Sequence, residues 1–316
     1  MYRASRFPEN PIIHTGLNDQ IGTNINGPSL IRVPDWVSNP LGRYYLYFAH
    51  HQGTFIRLAY ADTLNGPWKI HGAGVLQLAD TCCRHHVASP DVHVCTESQS
   101  FRMYFHGVTD DGQRSFLATS PDGLHFHASP EMLGPFYFRT FQHDAAWFAI
   151  AKTTDAPGGG VLLRSPDGIQ PFEQGPNILP NQRHVAVLKR GNVLDVFFTR
   201  GEDCPERILL STMSLTGDWK AWRPSEPAGL LRPETEEEGG HLPVVPSRFG
   251  AIHEPVHEVR DPAIYEEDGR LYLFYTGAGE TNICAAELTR EDISQPKDRP
   301  LSSESAPCAS SDEVSS

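Results

Sequence analysis

Apolar residues recur along this chain in short runs broken by turn residues, not at helical spacing. The clearest stretch is RDPAIYEEDGRLYLFYTG, from Arg260 to Gly277. Ala263 to Tyr265 is short and apolar. Glu267-Asp268-Gly269 carries the Asp-Gly signal of a tight hairpin. Leu271 to Tyr275 is continuously apolar and aromatic, which predicts a strand covered on both faces. Arg260 and Asp261 stand just before the first of these strands. Charges at the mouth of a buried strand are costly unless paired or used.

Four further segments repeat the plan of short strand, turn, apolar strand, loop and third strand. They begin at NGPSLIRV (Asn26), ASPDVHV (Ala88), GPFYFRTF (Gly134) and RHVAVLKRG (Arg183), and the Arg260 stretch is the fifth. A period of roughly 45–50 residues with about four strands per unit predicts a propeller. The fold class expected is therefore all-β, a five-bladed β-propeller. The SPDG turns at Ser120 and Ser165, followed by Phe126 and Phe172, read as structural corners. The fifth unit lacks an outer strand, and Asn10 to Thr15 (NPIIHT) is expected to close it from the N-terminus. Residues 1–291 then form one catalytic domain. The polar, Ser/Pro-rich residues 292–316 read as a disordered tail. Pro224 to Val259, rich in Pro, Gly and Glu, reads as a lid or wrapping loop without strands.

Composition narrows the function. A formal charge of -13 argues against nucleic acid or an anionic membrane as partner. No apolar segment has signal-peptide or membrane-spanning length. The six cysteines show no CxxC spacing, so neither a zinc site nor a disulfide framework is indicated. Reduced thiols and a cytoplasmic location are the expectation.

Propeller geometry sorts the polar residues by face. The starts of first strands share a face with the loops joining second to third strands. That face collects Asn26, Asp91, His184, Arg260 and Asp261 from strand starts, and His50, His51, His106, Arg200, Glu206 and Glu280 from loops. The opposite face receives ordinary turns, including those of His143, Asp144 and Asp268. Two carboxylates across a channel are the working parts of glycoside hydrolysis, and a third often tunes them by repulsion. Asp261 and Asp91 should both reach the channel mouth. Histidines on the rim suit hydroxyl recognition, because imidazole both donates and accepts. Arg200 and Arg260 suit carboxylate orientation or an anionic substrate group.

On these residues the chain resembles the five-bladed propeller glycosidases, above all glycoside hydrolase family 43. RDPAIYEEDGRLYLFYTG is similar to that family's first-blade motif, circularly shifted here to the last unit. The resemblance implies a glycoside hydrolase acting on a small glycoside or oligosaccharide, with Asp261 as general base. SPDVHV then implies Asp91 as the residue tuning the acid. RHVAV implies His184 as a channel ligand to a structural, calcium-like cation, with no cofactor required for turnover. The family's acid, a Glu before Gly-Pro, is replaced by Leu133. Glu206 is the expected substitute, then Glu254 or Glu280, with a histidine from His50, His51 or His106 as another route. An inverting mechanism would place that acid roughly 6.5–9.5 Å from Asp261. The rivals are a mannoside-phosphorylase type of enzyme and a non-catalytic sugar-binding propeller.

Overall fold

The computed structural model describes residues 2–153 and 158–291, and the expected tail lies outside them. Five antiparallel sheets follow each other along the chain. Blade 1 is Asn26–Arg32, Tyr44–Ala49, Phe55–Ala61 and Lys69–Gln77. Blade 2 is Arg84–Cys95, Ser100–Thr109, Gly112–Ser120 and His127–Ala128, with Gly134–Pro135 also pairing on its third strand. Blade 3 is Arg139–His143, Ala146–Thr153, Gly159–Ser165 and Glu173–Pro180. Blade 4 is Gln182–Arg190, Val193–Arg200, Ile208–Ser214 and Ala228–Leu231. Blade 5 is Arg260–Glu267, Arg270–Gly277 and Asn282–Arg290. The second strands are mostly buried, Tyr44–Ala49 throughout, as their apolar runs require.

The ring is closed from the N-terminus, but mainly by residues earlier than expected. Tyr2–Arg6 is the outer strand of blade 5, with Tyr2 opposite Arg290 and Arg6 opposite Ala286. The segment Asn10 to Thr15 contributes only Ile13–His14, which pair with Ile283 and Asn282. Tyr2–Arg6 alternates in burial, so one of its faces packs while the other stays wet. Arg6 then reaches Glu238 (2.7 Å), a fully buried carboxylate, and Glu234 (2.9 Å). Arg6→Met should therefore destabilise by roughly 2 kcal/mol, less than for a fully buried pair because Arg6 keeps some solvent contact. A melting curve checks this; an unchanged midpoint would mean that the closing strand is held by backbone pairing alone.

The expected strandless insertion also needs correction. Its Ala228–Leu231 pairs with Ile208–Ser214 and completes blade 4. The remainder runs irregularly across one end of the ring, where Ser247 and Val259 bond to the Asp203 and Glu206 backbone.

Five hydrophobic clusters fill the spaces between blades. The SPDG corners serve them. Tyr47 donates to the carbonyl of Gly123, and Tyr104 to that of Gly168, both at 2.9 Å, while Phe126 and Phe172 are buried beside them. No described helix is long and apolar enough to cross a membrane. Cys82, Cys83, Cys95 and Cys284 are free thiols; Cys204 is not among them.

One backbone device positions the site. The pairing of first with second strand slips at Asn26/Ser29, Ala88/Asp91, Gln182/Val185 and Arg260/Ala263. Three of these bulges sit where a first strand begins, and that of blade 2 lies further along its longer strand. Gly27, Ser89 and Asp261 have φ of 61°, 52° and 46° within them. A bulge adds one residue and re-aims its side chain. Here it turns polar groups out of the sheet and toward the channel.

Candidate active site

Side chains from the bulges meet others from neighbouring strands and loops around a cavity of about 160 Å³ at one end of the ring. Asn26 comes from blade 1, Tyr137 and Lys152 from blade 3, His184 from blade 4, and Asp261 and Glu280 from blade 5. His51, His86, His106 and Arg183 complete most of its polar wall.

Asp261 and Glu280 are the two carboxyls among the residues lining this cavity. Both are buried, and their nearest carboxylate oxygens lie within 4.8 Å. Two negative charges so close in a dry site are not both cheap to keep. Glu280 takes the charge because it has the better partners. Asn24 donates to it at 2.7 Å, Asn26 and His51 lie at 3.3 Å, and Arg260 at 3.3 Å. Burial opposes its ionisation, but these donors, His51 foremost, hold its pKa below the usual range. Asp261 has weaker support: Tyr137 donates at 2.9 Å, Thr276 at 3.4 Å, and His184 sits 3.5 Å away. Burial first, then the Glu280 charge, push Asp261 up to about 6. His184 and His106 are held neutral, mainly by burial.

Behind this pair lies a buried ionic layer. Arg260 contacts Glu206 (3.2 Å), Glu258 (2.6 Å) and Glu280 (3.3 Å). Arg183 contacts Glu206 at 3.3 Å and also donates to the carbonyls of Arg248 and Gly250. It thereby fastens the irregular segment over the site.

The expected site residues separate into two groups. Asn26, His51, His106, His184, Asp261 and Glu280 share the cavity. Glu206 does not line it; it is fully buried and neutralises Arg183 and Arg260, so its place is that of a counter-ion, not a donor facing substrate. Asp91 also sits outside. It accepts from the Thr140 backbone (2.9 Å), the Thr140 hydroxyl (3.0 Å) and His93 (2.9 Å), and so ties blade 2 to blade 3. Burial raises its pKa, but His93, Arg139 and Thr140 together hold it low. Its place does not suit tuning of a distant acid. Arg260 lies one layer back. Arg200 pairs with Asp203 at 3.2 Å away from the cavity. Glu254 is exposed on the irregular segment. His50 bonds to the carbonyl of His51, and burial followed by Arg57 lowers its pKa.

His184, Asp261 and Glu280 bring one ligand atom each within 4.8 Å of one another. The trio by itself does not complete the shell of a calcium-like cation. Such an ion takes six to eight oxygens, and here one of three donors is nitrogen. The charge of Glu280 is already met by Arg183 and Arg260.

Sequence reasoning missed Lys152, Tyr137 and His86, and gave no role to Arg183 beside His184 at its strand start. Tyr137 lies in the aromatic run GPFYFRTF, which did not single it out; in the structure its φ of 66° marks it, since a bulky residue adopts that conformation only where the surroundings enforce it. Lys152 lies within an apolar strand, and its position gave no signal.

No protein-family profile matches the chain. Over 329 residues the chain is 35% identical to "Uncharacterized protein R118" of Acanthamoeba polyphaga mimivirus, with 90% of each covered. Among solved structures, the chain is similar to the family 43 glycoside hydrolase of Xanthomonas citri complexed with xylose (14% identity, TM-score 0.56, 84% of this chain and 86% of that one). It is also similar to a calcium-free β-xylosidase/α-arabinofuranosidase of that family from a compost metagenome (14%, 0.56, 92% and 94%). A third is an endo-1,4-β-xylanase from Bacteroides thetaiotaomicron (14%, 0.59, 83% and 89%). The chain thus has the five-bladed propeller fold of family 43 glycosidases.

Proposed function

The chain belongs to the family of the mimiviral protein R118, and on that premise we propose that it cleaves the glycosidic bond of a small glycoside, with Asp261 transferring the proton. The observation that carries this reading is the buried Asp261–Glu280 pair at the cavity wall, whose surroundings push the two pKa values apart. Such a split assigns acid and base. The proton-holding member, Asp261, is the donor to the leaving oxygen. Glu280 stays ionised and faces the positive charge that grows at the anomeric carbon. This reverses the role that the family resemblance implies for Asp261, and it accounts for the absence of a Glu at Leu133. The propeller shared with family 43 glycosidases supports the same reaction class. A cavity of about 160 Å³ supports a small substrate group over a long buried chain.

The close spacing also bears on stereochemistry. Inverting pairs stand roughly 6.5–9.5 Å apart to admit a water, whereas retaining pairs stand at about 5–5.5 Å. Oxygens within 4.8 Å favour the second class, with Glu280 as the group that bonds to the sugar, over the inverting mechanism expected from sequence. Purified protein should be screened against aryl glycosides and oligosaccharides. Proton NMR of the first product from an active substrate should show the substrate's anomer retained. An inverted product would remove Glu280 from the chemistry, and failure to cleave any glycoside would remove the enzymatic reading.

A further inference from the structure

Part of the cavity wall has no role in that proton transfer. Lys152, on the second strand of blade 3, lines the cavity with its ammonium 5.6 Å from the centre of the Phe136 ring and 5.0 Å from that of Phe249. Among the described residues, no carboxylate pairs with it. Burial first, and then the charge of Arg183, lower its pKa to about 8. An ammonium taken from water without an anion is an expensive group to keep. Beside it, at the end of the second strand of blade 2, His106 is 6% exposed. Its ring lies 5.6 Å from that of Phe136, and its Nδ1 has no hydrogen-bond partner. Two polar groups short of partners, the buried His106 and the half-buried Lys152, therefore flank one aromatic ring in one cavity. Arg183 also faces the space, but its charge is matched by Glu206.

We propose that Lys152 and His106 form a binding site for an oxyanion of phosphate chemistry, placed in the same cavity as Asp261. The ammonium supplies the charge and His106 a directed hydrogen bond. The oxyanion is either a phosphoryl substituent of the substrate sugar or a free phosphate. In the second case the leaving oxygen first departs with the Asp261 proton as Glu280 bonds to the anomeric carbon; a phosphate oxygen then bonds to that carbon as the Glu280–sugar bond breaks, and the proton of hydrogenphosphate restores Asp261. The inference adds a ligand class to the glycoside-cleaving reading, but the binding itself does not require Asp261 to be catalytic.

Calorimetric titration of the full chain with inorganic phosphate, and separately with a hexose monophosphate, tests it. At least one probe should bind with a dissociation constant in the millimolar range or below. Lys152→Met, which keeps the apolar stem, should weaken that binding tenfold or more, as loss of a charge-assisted hydrogen bond does. Lys152→Arg, which keeps the charge, should restore part of it. Asp261→Asn should bind at least as tightly as the wild type, because it removes a neighbouring negative charge. Phosphate-dependent cleavage with a sugar 1-phosphate product identifies the free ion; binding of the hexose monophosphate alone identifies the substituent. Binding of neither probe, or equal binding by Lys152→Met, overturns the proposal. Oxyanion binding without glycoside cleavage would leave this site standing while removing the reading of Asp261. Cleavage without oxyanion binding would do the reverse.

Discussion

Asp261→Asn is expected to lower turnover by about 10²-fold or more while leaving the protein at least as stable at pH 7. Loss of a positioned proton-transfer group costs on that order. The stability half follows from the proton balance. In the folded chain burial and Glu280 raise Asp261 to about 6, whereas an unfolded Asp titrates near 4. Between these values the folded protein holds a proton that the unfolded chain has released. The site therefore contributes stability below about pH 4 that is lost as pH rises through about 6. At pH 7 the wild type carries the unfavourable charge beside Glu280, and asparagine removes it. The same titration sets the rate profile. A donor must be protonated, so activity should fall as pH rises through about 6. Activity that instead rises across this range would return Asp261 to the role of base. A variant that keeps more than a few per cent of activity would remove it from the chemistry. Thermal melts at pH 5 and pH 7 separate the stability effect from the catalytic one.

Arg260→Met is expected to give the largest loss of stability of any single change at the site. The guanidinium is fully buried and serves three carboxylates, Glu206, Glu258 and Glu280, from blades 4 and 5 and the segment between them. Methionine fills similar space but leaves those charges with Arg183 alone. Removing one partner of a buried ionic group costs about 3–5 kcal/mol, which corresponds to a fall of roughly 10 °C in melting temperature for a chain of this size. Glu258, whose pKa burial already raises and Arg260 holds down, should then be pushed further up and protonate more readily as pH falls. The loss should therefore shrink in mildly acidic buffer. A loss that is the same at pH 5 and pH 7 would show that Arg260 acts through packing instead of charge.

The five-bladed plan was legible in the chain because strand burial and turn chemistry are local. Continuous apolar runs, Asp-Gly corners and their following aromatics repeat in order, and each unit folded as a blade. The closing of blade 5 from the N-terminus was legible as a need, an unpaired edge on the last strand. Which residues met it was not: Tyr2–Arg6 supplied most of the pairing, since alternation and the ion pair from Arg6 to the buried Glu238 suit an outer strand. The face bearing the site could be assigned from topology, and Asn26, His51, His106, His184, Asp261 and Glu280 do converge there. Depth could not be assigned. Glu206, Arg260 and Asp91 have the same residue types and the same positions relative to strands, yet they became counter-ions and a blade-to-blade tie. Sequence by itself determined the blades, their order and the loaded face. Tertiary structure alone decided which charges stay beside the cavity and which of two neighbouring carboxyls has its pKa raised. Those outcomes depend on bulges that turn single residues by a step along the strand. They depend also on desolvation and charge pairing among groups hundreds of positions apart, and neither leaves a periodic trace in the chain.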